Sequence, residues 1–334
     1  MNTKRIISLV ASLALVLSLS VGLTGCGDKA AQDDNQGSTD GEGTKYTVGI
    51  CQLVQHEALD AATQGFIDAL NEALPGQVEF QNKNASGDNA NCSTIVNGFV
   101  SDGVDLIMAN ATGALTAAAA ATSDIPILGT SITAYGVALD LDDFAGTVGG
   151  NISGTSDLAD LEAQANMITE WFPEAKKVGL LFCSAEPNSR YQIDEVRKAL
   201  EAQGVTCEEF AFTDSNDVSS VAQKAADFSD VVYIPTDNTA ASNTEAIANV
   251  LIPAGVPAIC GEEGLCRGCG VATLSISYYD LGVTTGKMAA KILKGEANIS
   301  EMPVEYTDAT PKYNASICDQ LGITPLDGYE AIDG

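Results

Sequence analysis

The sequence has a single histidine, His56, in 334 residues. One imidazole excludes chemistry that needs two, a His-rich zinc centre above all. Basic residues are scarce as well. Sixteen Lys and Arg stand against 45 Asp and Glu, a net charge of −29 at pH 7, so the whole surface repels phosphate backbones and nucleic acid is not expected as a partner. No G-x-G-x-x-G, G-x-x-x-x-G-K-[ST] or G-x-S-x-G string occurs, which leaves dinucleotide, P-loop and nucleophile-elbow sites without a signature. What is present is an apolar fraction of 45% and a charged fraction of 18%, the balance of a folded chain of one large or two medium domains.

Lys4 and Arg5 precede eighteen uncharged residues, 6–23, which lead through small residues into Cys26. These flanks fit a secretory signal rather than a membrane span. Leu23-Thr24-Gly25-Cys26 resembles the bacterial lipobox, and the resemblance implies cleavage before Cys26 and acylation of that cysteine, enough for stable anchoring. Residues 27–44 contain no large apolar side chain and form a tether with a reach of roughly 25 Å.

From residue 46 onward, short apolar runs alternate with helix-periodic stretches, beginning with YTVGICQL and a helical face of Leu59, Ala62, Phe66, Leu70 and Leu74. Such alternation predicts an α/β fold with mostly parallel sheets. The chain also repeats itself. VGI at 48–50 matches VGL at 178–180, Asp105 of DLIMANATG matches Asp230 of DVVYIPTDN, and Pro126 matches Pro257, at offsets of 130, 125 and 131. Three landmarks in order at nearly equal spacing predict two copies of one α/β unit. Two doubly wound lobes meeting at the carboxyl ends of their strands make a ligand cleft. The helical segment 278–295 has no counterpart between the copies, so it is expected to return to the first lobe and make a multi-strand hinge.

Strand-end loops therefore carry the candidate site. His56 opens a helix, where the dipole favours the neutral ring, and it is either a ligand contact or a solvated cap. Thr112-Gly113-Ala114 opens another, a ready carboxylate or phosphate site unless Thr112 is only an N-cap. In the second copy the matching place reads Asp237-Asn238, and Asp237 is either a cap or the partner of a ligand cation. An anion-attracting helix start facing a carboxylate suits a zwitterion, most simply an amino acid. Glu186-Pro187-Asn188-Ser189 starts a further helix, with Asn188 or Ser189 as its cap and a possible hydrogen bond to ligand.

Eight cysteines remain beside Cys26. Cys51, Cys183 and Cys260 fall in apolar strands and read as small core residues. Cys266 and Cys269 fall in a loop and read as a disulfide or two free thiols, since with Cys260 they give only three ligands and no neighbouring histidine for a metal. Asp140, Asp142 and Asp143 lack the spacing of a calcium loop and read as an acidic surface.

Together, YTVGICQLVQHEALDAATQGFIDAL, NATGALTAAAAATSDIPILGTSIT, GNISGTSD, KKVGLLFCSAEPNS, VVYIPTDN and YYDLGVTTGKMAAKILKG resemble ABC-transporter substrate-binding proteins of the branch that includes tryptophan- and tyrosine-binding lipoproteins. The resemblance spans about residues 46–325 and implies a type I periplasmic-binding-protein fold of two Rossmann-like lobes with three hinge crossings. It divides the chain into a signal peptide 1–25, a lipidated tether 26–44, a first lobe of 45–151 plus 277–303 and a second of 152–276 plus 304–334. It places Gln52 and His56 at the cleft, Thr112, Gly113 and Ala114 on a carboxylate, Ser131 and Thr133 in a second binding loop, and Asn188 and Ser189 on the ligand from the second lobe. Asp237 with Asn238 would hold an α-amino group. The chain departs from the family pattern at Ala134-Tyr135-Gly136, with Tyr135 a candidate for the pocket wall, and at the two cysteines near residue 266. The implied function is a monomeric, cofactor-free receptor, lipid-anchored on the outer face of the cytoplasmic membrane, that closes on an aromatic amino acid and passes it to a permease and ATPase. The alternatives are a receptor for a branched-chain amino acid, nucleoside or sugar, an adhesin or sensor of the same fold, or a two-lobe enzyme with Asp237 or Glu186 as general base.

Overall fold

The computed structural model describes residues 45–332, so Cys26, the signal segment 1–25 and the tether 26–44 lie outside the described residues. The chain begins with β1 (Tyr46–Gln52), α1 (Glu57–Ala73), β2 (Val78–Asn84), α2 (Asn89–Asp102), β3 (Leu106–Asn110), α3 (Thr112–Ala121), β4 (Ile127–Ile132), the one-turn α4 (Tyr135–Ala138) and β5 (Ile152–Ser156). It crosses to a second sheet with α5 (Leu161–Trp171), β6 (Lys177–Cys183), α6 (Pro187–Ala202), β7 (Thr206–Phe212), α7 (Val218–Phe228), β8 (Val231–Ile234), α8 (Asn238–Ala241), α9 (Thr244–Ala254), β9 (Ala258–Cys260), α10 (Glu263–Cys269) and β10 (Ala272–Ser275). It returns through α11 (Tyr278–Leu293) and β11 (Glu305–Tyr306), then crosses again to β12 (Thr310–Tyr313), α12 (Ala315–Leu321) and β13 (Glu330–Ala331).

The first sheet runs β11-β5-β4-β3-β1-β2, all parallel. The second runs β13-β12-β10-β9-β8-β6-β7, with β12 antiparallel to β10 and the other pairs parallel. Both are covered on two sides, which is why their central strands are continuous apolar runs. Side chains alternate between faces. Val48 and Ile50 of β1 join Phe66 and Met288, whereas Cys51 joins Phe99 and Leu115 on the opposite face. In the second lobe Leu180 and Phe182 pack with Trp171 and Val196, and Leu181 and Cys183 with Phe212 and Ile247.

Helix α11 returns to the first lobe and lies on α1 with almost no space between the backbones. A Cβ on Gly282 would stand 2.0 Å from the Ala62 carbonyl oxygen, and one on Gly65 2.1 Å from that of Tyr279. Backbone cannot yield as a side chain can, so Gly282→Ala is expected to cost about 3 kcal/mol of stability by overpacking, read as a lower urea midpoint at unchanged slope.

Two of the three crossings fall later than the sequence suggests. β5 pairs with β4, so the chain leaves the first sheet after Ser156 and not after residue 151, and β11 pairs with β5, so the last crossing follows Tyr306 and not residue 303. Ile152–Ser156 is small and polar and Glu305–Tyr306 is two residues long, so the pairing, not the side chains, makes them strands. Cys266 and Cys269 lie in α10 and not in a loop, because the Glu262 carboxylate caps that helix, accepting from Gly264 N–H at 2.6 Å and Leu265 N–H at 2.5 Å. Both are buried free thiols. Among the described residues no helix is long and apolar enough to cross a membrane.

Candidate functional site

Residues beyond the carboxyl ends of strands from both sheets meet around a cavity of about 10 Å³, room for about one water molecule. Its lining is His56 and Leu59 after β1, Ser131 and Thr133 at the end of β4, Asp157 after β5, Asn188 on α6, Thr236, Asp237, Asn238 and Ala241 after β8, Glu262 after β9, and Tyr278 at the start of α11. A wider cavity of about 290 Å³ shares Asn188 and is walled by Leu53, Asn89, Thr112, Gly113, Ala117, Ala120, Glu186 and Pro187, among others.

Six of the expected residues, His56, Ser131, Thr133, Asn188, Asp237 and Asn238, face the small cavity, and Thr112 and Gly113 face the wide one. Gln52, Ala114 and Ser189 line neither. Gln52 is a strut instead. Its amide donates to the Val54 carbonyl at 2.9 Å and to Asp60 Oδ1 at 2.6 Å, and its oxygen accepts from Thr63 at 2.7 Å, so both amide protons are spent within the first lobe. Ala114 and Ser189 are wholly buried. Tyr135 is core too, stacked on Phe144 with its hydroxyl on the Thr155 carbonyl at 3.2 Å, and it does not reach the small cavity.

The backbone is bent to serve the site. Ser131 has φ of +56° where the β4–β5 register shifts between Gly129 and Ile132, and its Oγ is buried with no hydrogen-bond partner. Ala111, ahead of α3, has φ of +83° and ψ of 159°, a conformation that favours glycine. Strain of this kind persists where packing imposes it and clusters at ligand sites. Thr112 is therefore the first residue of α3 and not its cap.

The helix starts in the second lobe are cross-linked. Glu186, rather than Asn188 or Ser189, occupies the cap position of α6, with Pro187 in the first turn, yet its carboxylate serves α8. It accepts from Asn238 N–H at 3.0 Å and Nδ2 at 2.7 Å, from Thr239 N–H at 2.8 Å and Oγ1 at 2.7 Å, and from Asn188 Nδ2 at 3.3 Å. A carboxylate so engaged has no lone pair aimed at a substrate, which counts against Glu186 as a general base. Asp237 accepts from Cys183 N–H at 2.6 Å and Ala240 N–H at 2.8 Å, again with both oxygens engaged.

Asp157, which the sequence does not single out, is different. Its Oδ2 accepts from the Tyr278 hydroxyl at 2.9 Å, and its buried Oδ1 has no hydrogen bond. Burial pushes its pKa up, that of Glu262 to about 7, and, together with the nearby Glu186 charge, that of Asp237 above the usual carboxylate range. No Lys or Arg lines the cavity. Three carboxyl groups thus lean toward their neutral forms around a space in which a cation would favour their charged forms. His56 Nε2 lies 3.2 Å from Asn238 Oδ1, and because that oxygen can only accept, Nε2 carries the proton. Burial lowers the pKa of His56, against the pull of Asn238 and the charges of Glu186 and Asp60.

Asp157, Thr236, Glu262 and Tyr278 are the site residues the sequence reading missed. One had a signal. The offset of 131 that pairs Pro126 with Pro257 carries Ser131 onto Glu262.

Two parallel-sheet lobes, crossed three times by the chain and closing on a polar cavity, make this a type I periplasmic-binding-protein fold. Residues 47–328 match the ABC transporter substrate binding protein family, and the chain belongs to it. It acts as the substrate-binding protein of an ABC transporter. It is 33% identical over 321 residues to the tyrosine-binding protein of Clostridioides difficile (strain R20291), covering 92% of this chain and 89% of the relative. A solved ABC domain from Streptococcus pneumonia in complex with L-Trp is similar at 30% identity and a TM-score of 0.82, over 86% of this chain and 100% of that one. The ligand-free, open structure of a Clostridium difficile substrate-binding protein with adhesive properties is 33% identical with a TM-score of 0.66, over 86% of this chain and 99% of that one. Two contacts join residues of the first lobe to residues of the second: His56 with Asn238, and Glu57 with Arg267 Nε at 3.0 Å.

Proposed function

We propose that this protein binds an aromatic amino acid between its lobes, closing on it by hinge motion, and presents it to the permease and ATPase of an importer while held to the membrane through lipidated Cys26. The observation that carries the amino-acid reading is the pair of buried, unpartnered atoms in one cavity, Asp157 Oδ1 as an acceptor for an ammonium and Ser131 Oγ as a donor for a carboxylate. The absence of a basic side chain from the lining leaves the positive charge to the ligand. An aromatic side chain is supported by the two relatives named for tyrosine and found with L-Trp, and by the apolar part of the wide cavity, Leu53, Ala117, Ala120 and Pro187. The small cavity must open to admit such a ligand, and because the ligand touches both lobes it selects the closed form.

The test is a thermal-shift screen of the full chain in detergent, unfolded and refolded to strip carried-over ligand, against the twenty amino acids, several nucleosides and simple sugars. At 1 mM ligand and a micromolar dissociation constant the stabilisation is about 4 kcal/mol, a rise on the order of 10 °C. A rise confined to tyrosine, tryptophan or phenylalanine is expected, and no rise with any amino acid would overturn the reading.

A further inference from the structure

The loop before α2 is pinned to the cleft end of β1. Ala85 N–H donates to the Gln52 carbonyl at 2.9 Å and Gly87 N–H to that of Leu53 at 2.8 Å, while the Asp88 side chain caps the helix on Ala90 N–H at 2.7 Å. This docking sets Cys92, in the first turn of α2, against Cys51 near the end of β1. Both are wholly buried free thiols in one apolar cluster, with their side chains neighbours across the strand–helix contact. Thiols already in contact between a strand and a helix can be bridged with little backbone movement.

We propose that Cys51 and Cys92 form a disulfide in the mature protein, fastening β1 to the first turn of α2. The inference rests on the export proposed above, because extracytoplasmic compartments sustain disulfides. Before the pair is buried either sulfur can ionise and lead the attack, Cys92 in the course that follows. The Cys92 thiolate attacks a disulfide oxidant, oxidised glutathione or a thiol–disulfide oxidoreductase, forming a mixed disulfide and releasing one thiolate. Cys51 sulfur, giving up its proton, then attacks the Cys92 sulfur and expels the second thiolate. Two protons and two electrons leave the pair and the oxidant takes up both. Since neither sulfur is exposed in the folded chain, the exchange belongs to folding. The link stiffens the wall of the wide cavity, which Asn89 and Ser93 of the same turn line.

The full chain, refolded from urea in a buffer of oxidised and reduced glutathione, alkylated with iodoacetamide and digested, should yield one linked peptide joining Cys51 and Cys92. Its melting temperature should exceed that of the reduced protein by roughly 5 to 10 °C, a gap absent from Cys92→Ala. Cys51 and Cys92 both alkylated after this refolding would overturn the pairing without touching the export reading. A link formed in the refolded protein, with both thiols alkylated when intact cells are trapped, would overturn the disulfide in the mature protein through the failure of export.

Discussion

Asp157→Asn is expected to weaken amino-acid binding by about 30-fold at least and up to several thousand-fold, equivalent to about 2–5 kcal/mol. An ammonium entering a dry cavity must replace its water shell with fixed acceptors, and Asp157 Oδ1 is a buried oxygen there with no other partner. Asparagine has the same shape and can still accept from the Tyr278 hydroxyl, so the fold is kept while the charge is removed. Titration calorimetry with the best ligand of the thermal screen reads the loss. Asp237, expected from sequence to hold the amine, already spends both oxygens on backbone N–H groups, so Asp237→Asn should act mainly on stability. Full affinity in Asp157→Asn together with a large loss in Asp237→Asn would return the amine to Asp237.

The second large effect is on stability and depends on pH. Glu262 is 2% exposed, and burial raises its pKa from 4.5 to about 7. A carboxyl group with a raised pKa stabilises the folded state in its neutral form: its contribution is intact below about pH 4.5 and is lost as pH climbs through about 7. Glu262→Gln stays neutral throughout. The variant should therefore gain on the wild-type protein by about 3 kcal/mol between pH 4.5 and pH 7.5, several degrees in melting temperature, with the difference flat above that range. A bound ammonium stabilises the carboxylate, so saturating ligand should shrink the gain. A difference between the two proteins that does not change with pH would show that Glu262 is not buried in this way.

The fold was readable because its central strands are apolar on both faces and its helices on one. The duplicated landmarks separated the two lobes, and the lack of a partner for residues 278–295 sent α11 back to the first. Edge elements were harder. β7 carries Glu208 and Glu209 in an alternating pattern, since only part of it is covered, and β5 and β11 are made of small or few residues. In the site, strand-end positions such as His56, Asn188 and Asn238 were legible because a doubly wound sheet always presents them. Asp157 and Tyr278 stand where the chain changes lobes, and a sequence does not mark such a place until the pairing of β5 is known. Gln52 stands at a strand end too, but its side chain is tied to Thr63 and Asp60 on α1 and lines neither cavity.

The return of α11 to α1 also sets the order in which the molecule can be completed. When residue 276 has left the ribosome, five of the six strands of the first sheet have been made, yet the helix that seats against Gly65 has not, nor has β11 at the edge. The second sheet is in the same position, since β12 and β13 come last of all. Each lobe thus waits on elements beyond residue 276, and neither can be cut out as an uninterrupted stretch of gene. A premature stop before β11, or a protease cut there with loss of the tail, removes parts of both lobes at once.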